Sequence, residues 1–156
     1  MENDLVELIR RGGVIHDIAG STPAEVLTNG LQSVSLPASL DQSGLLKALL
    51  EREQLMSTAI GKGIALPHPR NALVTEPREQ FMVIGYLRQE IDWKALDGNV
   101  VHTFLLIVSA SPKLHLQTLS RINFFCQYEQ FRAALRNRVT QEELITMITD
   151  TQQTWE

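Results

Sequence analysis

Phe81-Met82-Val83-Ile84-Gly85-Tyr86-Leu87 and Val100-Val101-His102-Thr103-Phe104-Leu105-Leu106-Ile107-Val108 are almost uninterrupted apolar runs. A strand with one wet face alternates apolar and polar residues. Runs like these predict strands covered on both faces. Between them, Leu96-Asp97-Gly98-Asn99 has turn chemistry. Helical periodicity lies on either side. Leu5, Leu8 and Ile9 share one side of a short helix over Asp4–Arg10. Thr22 caps a helix with Pro23 in its first position and Glu25 three residues after the cap, running to about Val34 and weakened by Gly30. Leu45, Leu46, Leu49 and Leu50 make one face of a helix over Ser43–Gln54. His115, Leu119, Ile122 and Cys126 form a stripe on a helix from Pro112 to about Gln127, which Glu129–Arg138 continues after a bend. Thr140 and Glu143 form a second capping box ahead of Leu144, Ile145, Met147 and Ile148. The polar tail after Asp150 reads as frayed. Short strands are expected at Val14–Ile18 and Ile64–Leu66. Interleaved helices and strands predict an α/β single-domain sandwich, with a central mixed β-sheet flanked by helices on both faces. The domain is expected to span residues 1–156, with its core at about 5–150.

Composition narrows the function. A chain of 156 residues suits one domain with an ample core, and its 44% apolar content excludes a disordered chain. Cys126 stands alone, so no intramolecular disulfide forms and a reducing, cytoplasmic setting is expected. The longest strictly apolar run, Phe104–Val108, is far short of the ~20 residues that cross a bilayer. The start, Met1-Glu2-Asn3-Asp4, is acidic and lacks the features of a signal peptide, so membrane insertion is not expected.

Eighteen acids against fourteen bases give a net charge of −4, which argues against nucleic acid as a partner. The acids are unevenly placed. None falls between Gln54 and Thr75, and none between Gly98 and Tyr128. Those segments carry Lys62, Arg70, Lys113 and Arg121, with His68, His102 and His115. Buried strands exclude all charge, which accounts for Thr103–Ala110. It does not account for the polar, glycine-containing stretch around His68. If the fold brings the two segments together, an acidic protein gains a carboxylate-free cleft for an anion. Lys62 and Arg70 are candidates for docking its donor.

The chemistry concentrates in Glu51–Arg70. His68 lies between Pro67 and Pro69, which stiffen its backbone and present the side chain from a strand end. A loop histidine by itself is more often inert than reactive. Gly61-Lys62-Gly63 lacks the spacing of a nucleotide-binding loop, because Lys62 is followed by Gly63 rather than Ser or Thr. The glycines make a turn or let backbone N–H groups approach a phosphoryl group. His68, His102 and His115 match no standard zinc spacing, and no G-x-S-x-G nucleophile elbow is present. No metal or cofactor is expected. Cys126 reads as core packing. His115 reads equally as a satisfied core histidine or as an imidazole delivered to the pocket of His68.

Arg52-Glu53, then Ser57-Thr58-Ala59-Ile60-Gly61-Lys62-Gly63-Ile64-Ala65-Leu66-Pro67-His68, resembles the signature of the fructose/mannitol-type enzyme IIA domains of the bacterial phosphoenolpyruvate-dependent phosphotransferase system. His115-Leu116-Gln117-Thr118-Leu119-Ser120 is similar to that family's second histidine motif, and Asp92 with Leu96-Asp97-Gly98 also fits. The resemblance spans about residues 5–150. It looks most like the nitrogen-regulatory branch, whose C-terminal end Ile148-Thr149-Asp150-Thr151 resembles. Ala59, Met56 and Pro69 depart from the more usual residues, as does Ile122–Cys126. The resemblance implies phosphoryl transfer through a phosphohistidine at His68 Nε2. Arg52 and His115 would stabilise the phosphoryl oxygens, and Ser57 and Thr58 would shape the pocket. The donor would be a phosphorylated HPr-like carrier or its nitrogen-branch counterpart. The output would be nitrogen or metabolic regulation through target proteins. Two alternatives stand beside it: a sugar-transport IIA component passing phosphate to a IIB domain, and a non-catalytic binding module on the same fold.

Overall fold

Both apolar runs are strands at the centre of the sheet, and each buries its two faces against different helices. The computed structural model describes residues 4–153, so Met1–Asn3 of the acidic start and the last three residues of the tail lie outside it. The chain runs α1 (Leu5–Gly12), β1 (Gly13–Ile18), α2 (Pro23–Leu31), α3 (Gln42–Leu55), β2 (Ala59–Gly61), β3 (Ile64–Ala65), β4 (Phe81–Ile91), β5 (Val101–Val108), α4 (Pro112–Cys126), α5 (Glu129–Arg136) and α6 (Gln141–Gln153). A single 3-10 turn, Pro77–Glu79, precedes β4. The sheet order is β1-β4-β5-β3-β2. β1 pairs parallel with β4, and β3 parallel with β5; the β4–β5 and β2–β3 pairs are antiparallel. This is the mixed, doubly covered α/β sheet the sequence predicts.

The period-2 geometry of a strand sorts the apolar residues. Met82, Ile84 and Tyr86 of β4, with Leu105 and Ile107 of β5, pack with Leu5, Leu8, Ile122, Phe125, Leu135, Leu144 and Ile148 from α1, α4, α5 and α6. Phe81, Val83 and Leu87, with Phe104, Leu106 and Val108, pack with Val26, Leu27, Leu45 and Leu49 from α2 and α3. Gly85 explains the gap in the first run: a Cβ there would stand 2.3 Å from the Phe104 ring. Gly30 admits the same ring from the α2 side, at 3.2 Å. The glycine that weakens α2 therefore lets the helix approach the sheet closely.

Element ends follow their caps. Asp4, Thr22, Asp41 and Ser111 each accept a backbone N–H of the first turn of α1, α2, α3 and α4. Thr140 accepts the Glu143 N–H ahead of α6. Several boundaries differ from the sequence reading. α2 stops at Leu31 rather than near Val34. β4 continues four residues past Leu87, to Ile91. α5 is a separate helix that starts after Tyr128. The described tail is not frayed: α6 runs on to Gln153, and the Thr151 hydroxyl donates to the Met147 carbonyl. β2 was not expected. It pairs only with β3, through a two-residue turn in which Lys62 and Gly63 both have positive φ, 58° and 84°.

Candidate functional site

His68 stands just beyond β3, where the chain is held on both sides. The Leu66 N–H donates to the Thr58 carbonyl at 2.9 Å, and the Ile107 N–H donates to the Pro67 carbonyl at 2.9 Å. These bonds extend the ladder past the last regular strand residue. Pro67 has no N–H and loses nothing there. The imidazole turns back, and its Nδ1 lies 2.8 Å from the Leu66 carbonyl. A carbonyl can only accept, so this nitrogen carries the proton and Nε2 keeps its lone pair. Burial lowers the His68 pKa below the ordinary histidine value; the Leu66 carbonyl and Glu53 oppose the shift, and Arg52 adds to it. The ring is neutral at pH 7.

His115 comes from the first turn of α4, positioned by Ser111 at the cap and Pro112 in the first turn. Its ring centroid is 4.8 Å from that of His68, at an interplanar angle of 42°. Its Nδ1 is 3.3 Å from the Ser109 hydroxyl. Burial, and then the neighbouring His68, lower its pKa to about 4. Two neutral imidazoles thus share one site. Of the two readings of His115, the structure supports delivery to the pocket of His68.

Both rings line a cavity of about 360 Å³, together with Arg52, Arg70, Asn71, Ser109 and Ser111. Among the described residues, no carboxylate lines it. Arg52, near the end of α3, donates to the Met56 carbonyl at 2.6 Å. The two acid-free segments meet at this cavity, which His68 to Ala72 line from the first and Ile107, Ser109, Ser111, Pro112, His115 and Leu116 from the second. Leu116 is exposed at the rim. A larger hollow of about 840 Å³, lined by Leu50, Trp93 and Leu96, borders the Met56–Ser57 segment and contains neither histidine.

Ser57 and Thr58 do not line the cavity; they sit behind it. The Ser57 hydroxyl donates to the Trp93 carbonyl and accepts the Ala59 N–H. Thr58 is buried and bonded to Glu53 through both its N–H and its hydroxyl. Lys62 and His102 lie at the opposite end of β3 and β5, around a separate hollow that includes Arg132 and Arg136. Gly61-Lys62-Gly63 is therefore a hairpin turn, and Lys62 is remote from the cavity that Arg70 lines. The three histidines do not converge, and among the described residues no group of three possible ligands could hold a metal ion. Cys126 packs in the core, with its thiol pKa pushed up to about 11 by burial. No helix among the described residues is long and apolar enough to cross a membrane. Ser109 and Glu53 were given no role from sequence. The Ser109-Ala110-Ser111-Pro112 run signals a helix start, but nothing local ties Ser109 to a histidine.

A family model described as "Phosphoenolpyruvate-dependent sugar phosphotransferase system, EIIA 2" matches residues 7–151. The chain is 30% identical over 152 residues to the "Nitrogen regulatory protein" of Pseudomonas aeruginosa, covering 95% of this chain and 96% of that one. It is 32% identical over 110 residues to the "PTS system fructose-specific EIIABC component" of Bacillus subtilis, covering 69% of this chain but only 17% of that protein's length. The crystal structure of nitrogen regulatory protein IIA-Ntr from Neisseria meningitidis superposes with a TM-score of 0.75 at 21% identity, covering 92% of this chain and 94% of that one.

Proposed function

Because the chain belongs to the EIIA 2 family of the phosphoenolpyruvate-dependent sugar phosphotransferase system, and is a phosphotransfer protein of that type, we propose that His68 is the residue that carries the phosphoryl group. The observation that carries this reading is the hydrogen bond from His68 Nδ1 to the Leu66 carbonyl, in a cavity that no carboxylate of the described residues lines. It leaves Nε2 as the nucleophile. That lone pair attacks the phosphorus of a phosphorylated carrier protein. The new N–P bond forms as the carrier's own N–P bond breaks, and the carrier takes back its electron pair. No proton need move. Positive charge grows on the His68 ring during attack, and the Leu66 carbonyl on Nδ1–H stabilises it. Negative charge sits on the transferred oxygens, where catalysis is mostly positioning and electrostatics. Arg52 supplies a fixed cation on the cavity wall. His115 supplies a neutral donor when its Nδ1 accepts from Ser109, because Nε2 then carries the proton. Ser57 and Thr58 act from behind, by holding the backbone.

Regulation is the favoured output: the nitrogen regulatory relative matches along nearly the whole of both chains. Passage of phosphate to a IIB domain in sugar uptake is the second reading, supported by the fructose-specific relative. Incubation with phosphoenolpyruvate, enzyme I and the carrier should load one acid-labile phosphate per chain. A His68→Ala variant that still loads it overturns the assignment. A site with no phosphate uptake would instead point to the non-catalytic module.

A further inference from the structure

Among the described residues, Glu53 is a carboxylate linked to the site through hydrogen bonds, yet it lines the hollow behind the cavity rather than the cavity itself. It sits at the C-terminal end of α3, next to Arg52. One of its oxygens accepts the Thr58 N–H at 2.8 Å, lies 3.0 Å from the Thr58 hydroxyl, and accepts the Trp93 indole N–H at 2.7 Å. Its other oxygen lies 2.8 Å from the Thr58 hydroxyl. Trp93 is fully buried and Thr58 nearly so. An acceptor-only group with three partnered donors fixes a geometry far more tightly than a single surface bond.

What it fixes is the backbone that feeds His68. Thr58 accepts the Leu66 N–H on its carbonyl at 2.9 Å, and Leu66 accepts His68 Nδ1–H on its own carbonyl at 2.8 Å. From Glu53 to the imidazole, every link is a hydrogen bond of ordinary length. The same short segment is pinned twice more, by Arg52 on the Met56 carbonyl and by Ser57 on Trp93. Trp93 lies past the end of β4, so this arrangement joins α3, the β2 approach and the loop after β4.

We propose that Glu53 is a positioning residue for the phosphoryl-accepting histidine: by clamping Thr58 against Trp93 it sets the Leu66 carbonyl that holds His68 Nδ1–H and leaves Nε2 free. The inference rests on His68 as the phosphoryl acceptor. Glu53 touches neither the phosphoryl group nor the reacting nitrogen. It acts through the peptide of Leu66, as an outer residue orients a metal-binding histidine through its partner. Arg52 and Glu53 then divide the labour of one helix end. The arginine faces the anion, and the carboxylate is turned away from it, where it cannot repel the incoming group.

The test reads the imidazole directly. In protein with ¹⁵N-labelled histidine, the wild-type His68 signal should show the Nδ1–H tautomer. Glu53→Gln should shift a substantial fraction to Nε2–H and slow phosphoryl uptake from the phosphorylated carrier about 10- to 100-fold. Trp93→Phe, which removes one donor and keeps the ring packing, should do the same to a smaller extent. Thr58→Ser, which keeps the hydroxyl, should retain the wild-type tautomer, whereas Thr58→Val should lose it. If Glu53→Gln or Thr58→Val lowers the melting temperature while the His68 tautomer stays wild-type, the inference is overturned and Glu53 is structural only. Loss of transfer with an unchanged tautomer overturns it too. If wild-type protein takes up no phosphate although Glu53→Gln moves the tautomer, the link to His68 stands and the functional reading is what fails.

Discussion

β3 and β5 run side by side and end in two histidine-bearing clusters, one at each end of the pair. At the far end are His68, His115, Arg52 and Arg70; at the near end are His102, Lys62, Arg132 and Arg136. In composition the two are nearly the same. They differ in how the groups are partnered. His68 has Nδ1 on a carbonyl. His102 has Nδ1 against the Thr103 hydroxyl at 2.7 Å, and its Nε2 is buried with no partner among the described residues, pressed under Gly63. Arg52 bonds a neutral carbonyl and keeps its charge, whereas Glu129 pairs with both Arg132 and Arg136. On the proposed reading, His68 serves as the nucleophile because one nitrogen is held by an acceptor and the ring lines a cavity that holds Arg52 and Arg70 and, among the described residues, no carboxylate.

The largest expected effect separates the two ends outright. His68→Ala should abolish phosphate loading, a loss of roughly a thousandfold or more, while His102→Gln should load at the wild-type rate. Labelled phosphate transfer from phosphoenolpyruvate measures both. Equal losses in the two variants would erase the distinction.

Next in size is the contrast between the arginines. Arg52→Gln should slow loading about 10- to 100-fold, a loss of about 1.4–2.7 kcal/mol of transition-state stabilisation from a fixed cation in a partly desolvated site. Arg136→Gln should change it less than twofold. An exposed arginine already neutralised by Glu129 has little charge to lend.

His115 has a smaller effect on rate and a separate one on stability. His115→Asn should slow loading about tenfold. Its folded-state pKa, about 4, lies below the unfolded value of about 6.5. Between these values the unfolded chain binds the extra proton and the folded one does not. Stability from this group is therefore complete above pH 6.5 and is lost as pH falls toward 4. The site is partly exposed, so the loss is discounted to about 1–2 kcal/mol. Urea melts from pH 7 to pH 4 should show a shallower acid decline in His115→Asn than in wild type. Parallel declines would remove the burial argument.

Much of this fold is legible in the sequence. β4 and β5 announce themselves because both faces are buried, and the caps at Thr22 and Thr140 are local chemistry. β2 was missed because three residues, Ala59–Gly61, become a strand only by pairing with β3. Local signals likewise put His68 on a stiff loop after a strand, but its approach to His115 depends on how α4 docks. The signature named Arg52 and Glu53 as neighbours, yet only the fold shows one facing the cavity and the other bonded to Trp93, 40 residues away. Lys62 illustrates the reverse. Basic and within an acid-free segment, it is by composition a candidate for docking the donor, and the hairpin turn carries it to the other end of the strand from the cavity.

The smallest effect on transfer should come from the tightest contact at that wrong end. Gly63 has φ +84°, and a Cβ there would stand 2.5 Å from the His102 ring. Gly63→Ala should cost about 1–3 kcal/mol, part from the positive φ and part from the collision. The two parts separate in a His102→Ala background. Removing the ring relieves the collision and leaves the φ strain, so the double variant should be more stable than the sum of the singles predicts, by about 1 kcal/mol. Phosphate loading per folded molecule should stay at the wild-type level in all three. Thermal melts and the loading assay on the same samples decide it. If Gly63→Ala slowed loading while the fold held, strain at the hairpin would be reaching His68 along β3, and the two ends of the strand pair could not be treated as independent.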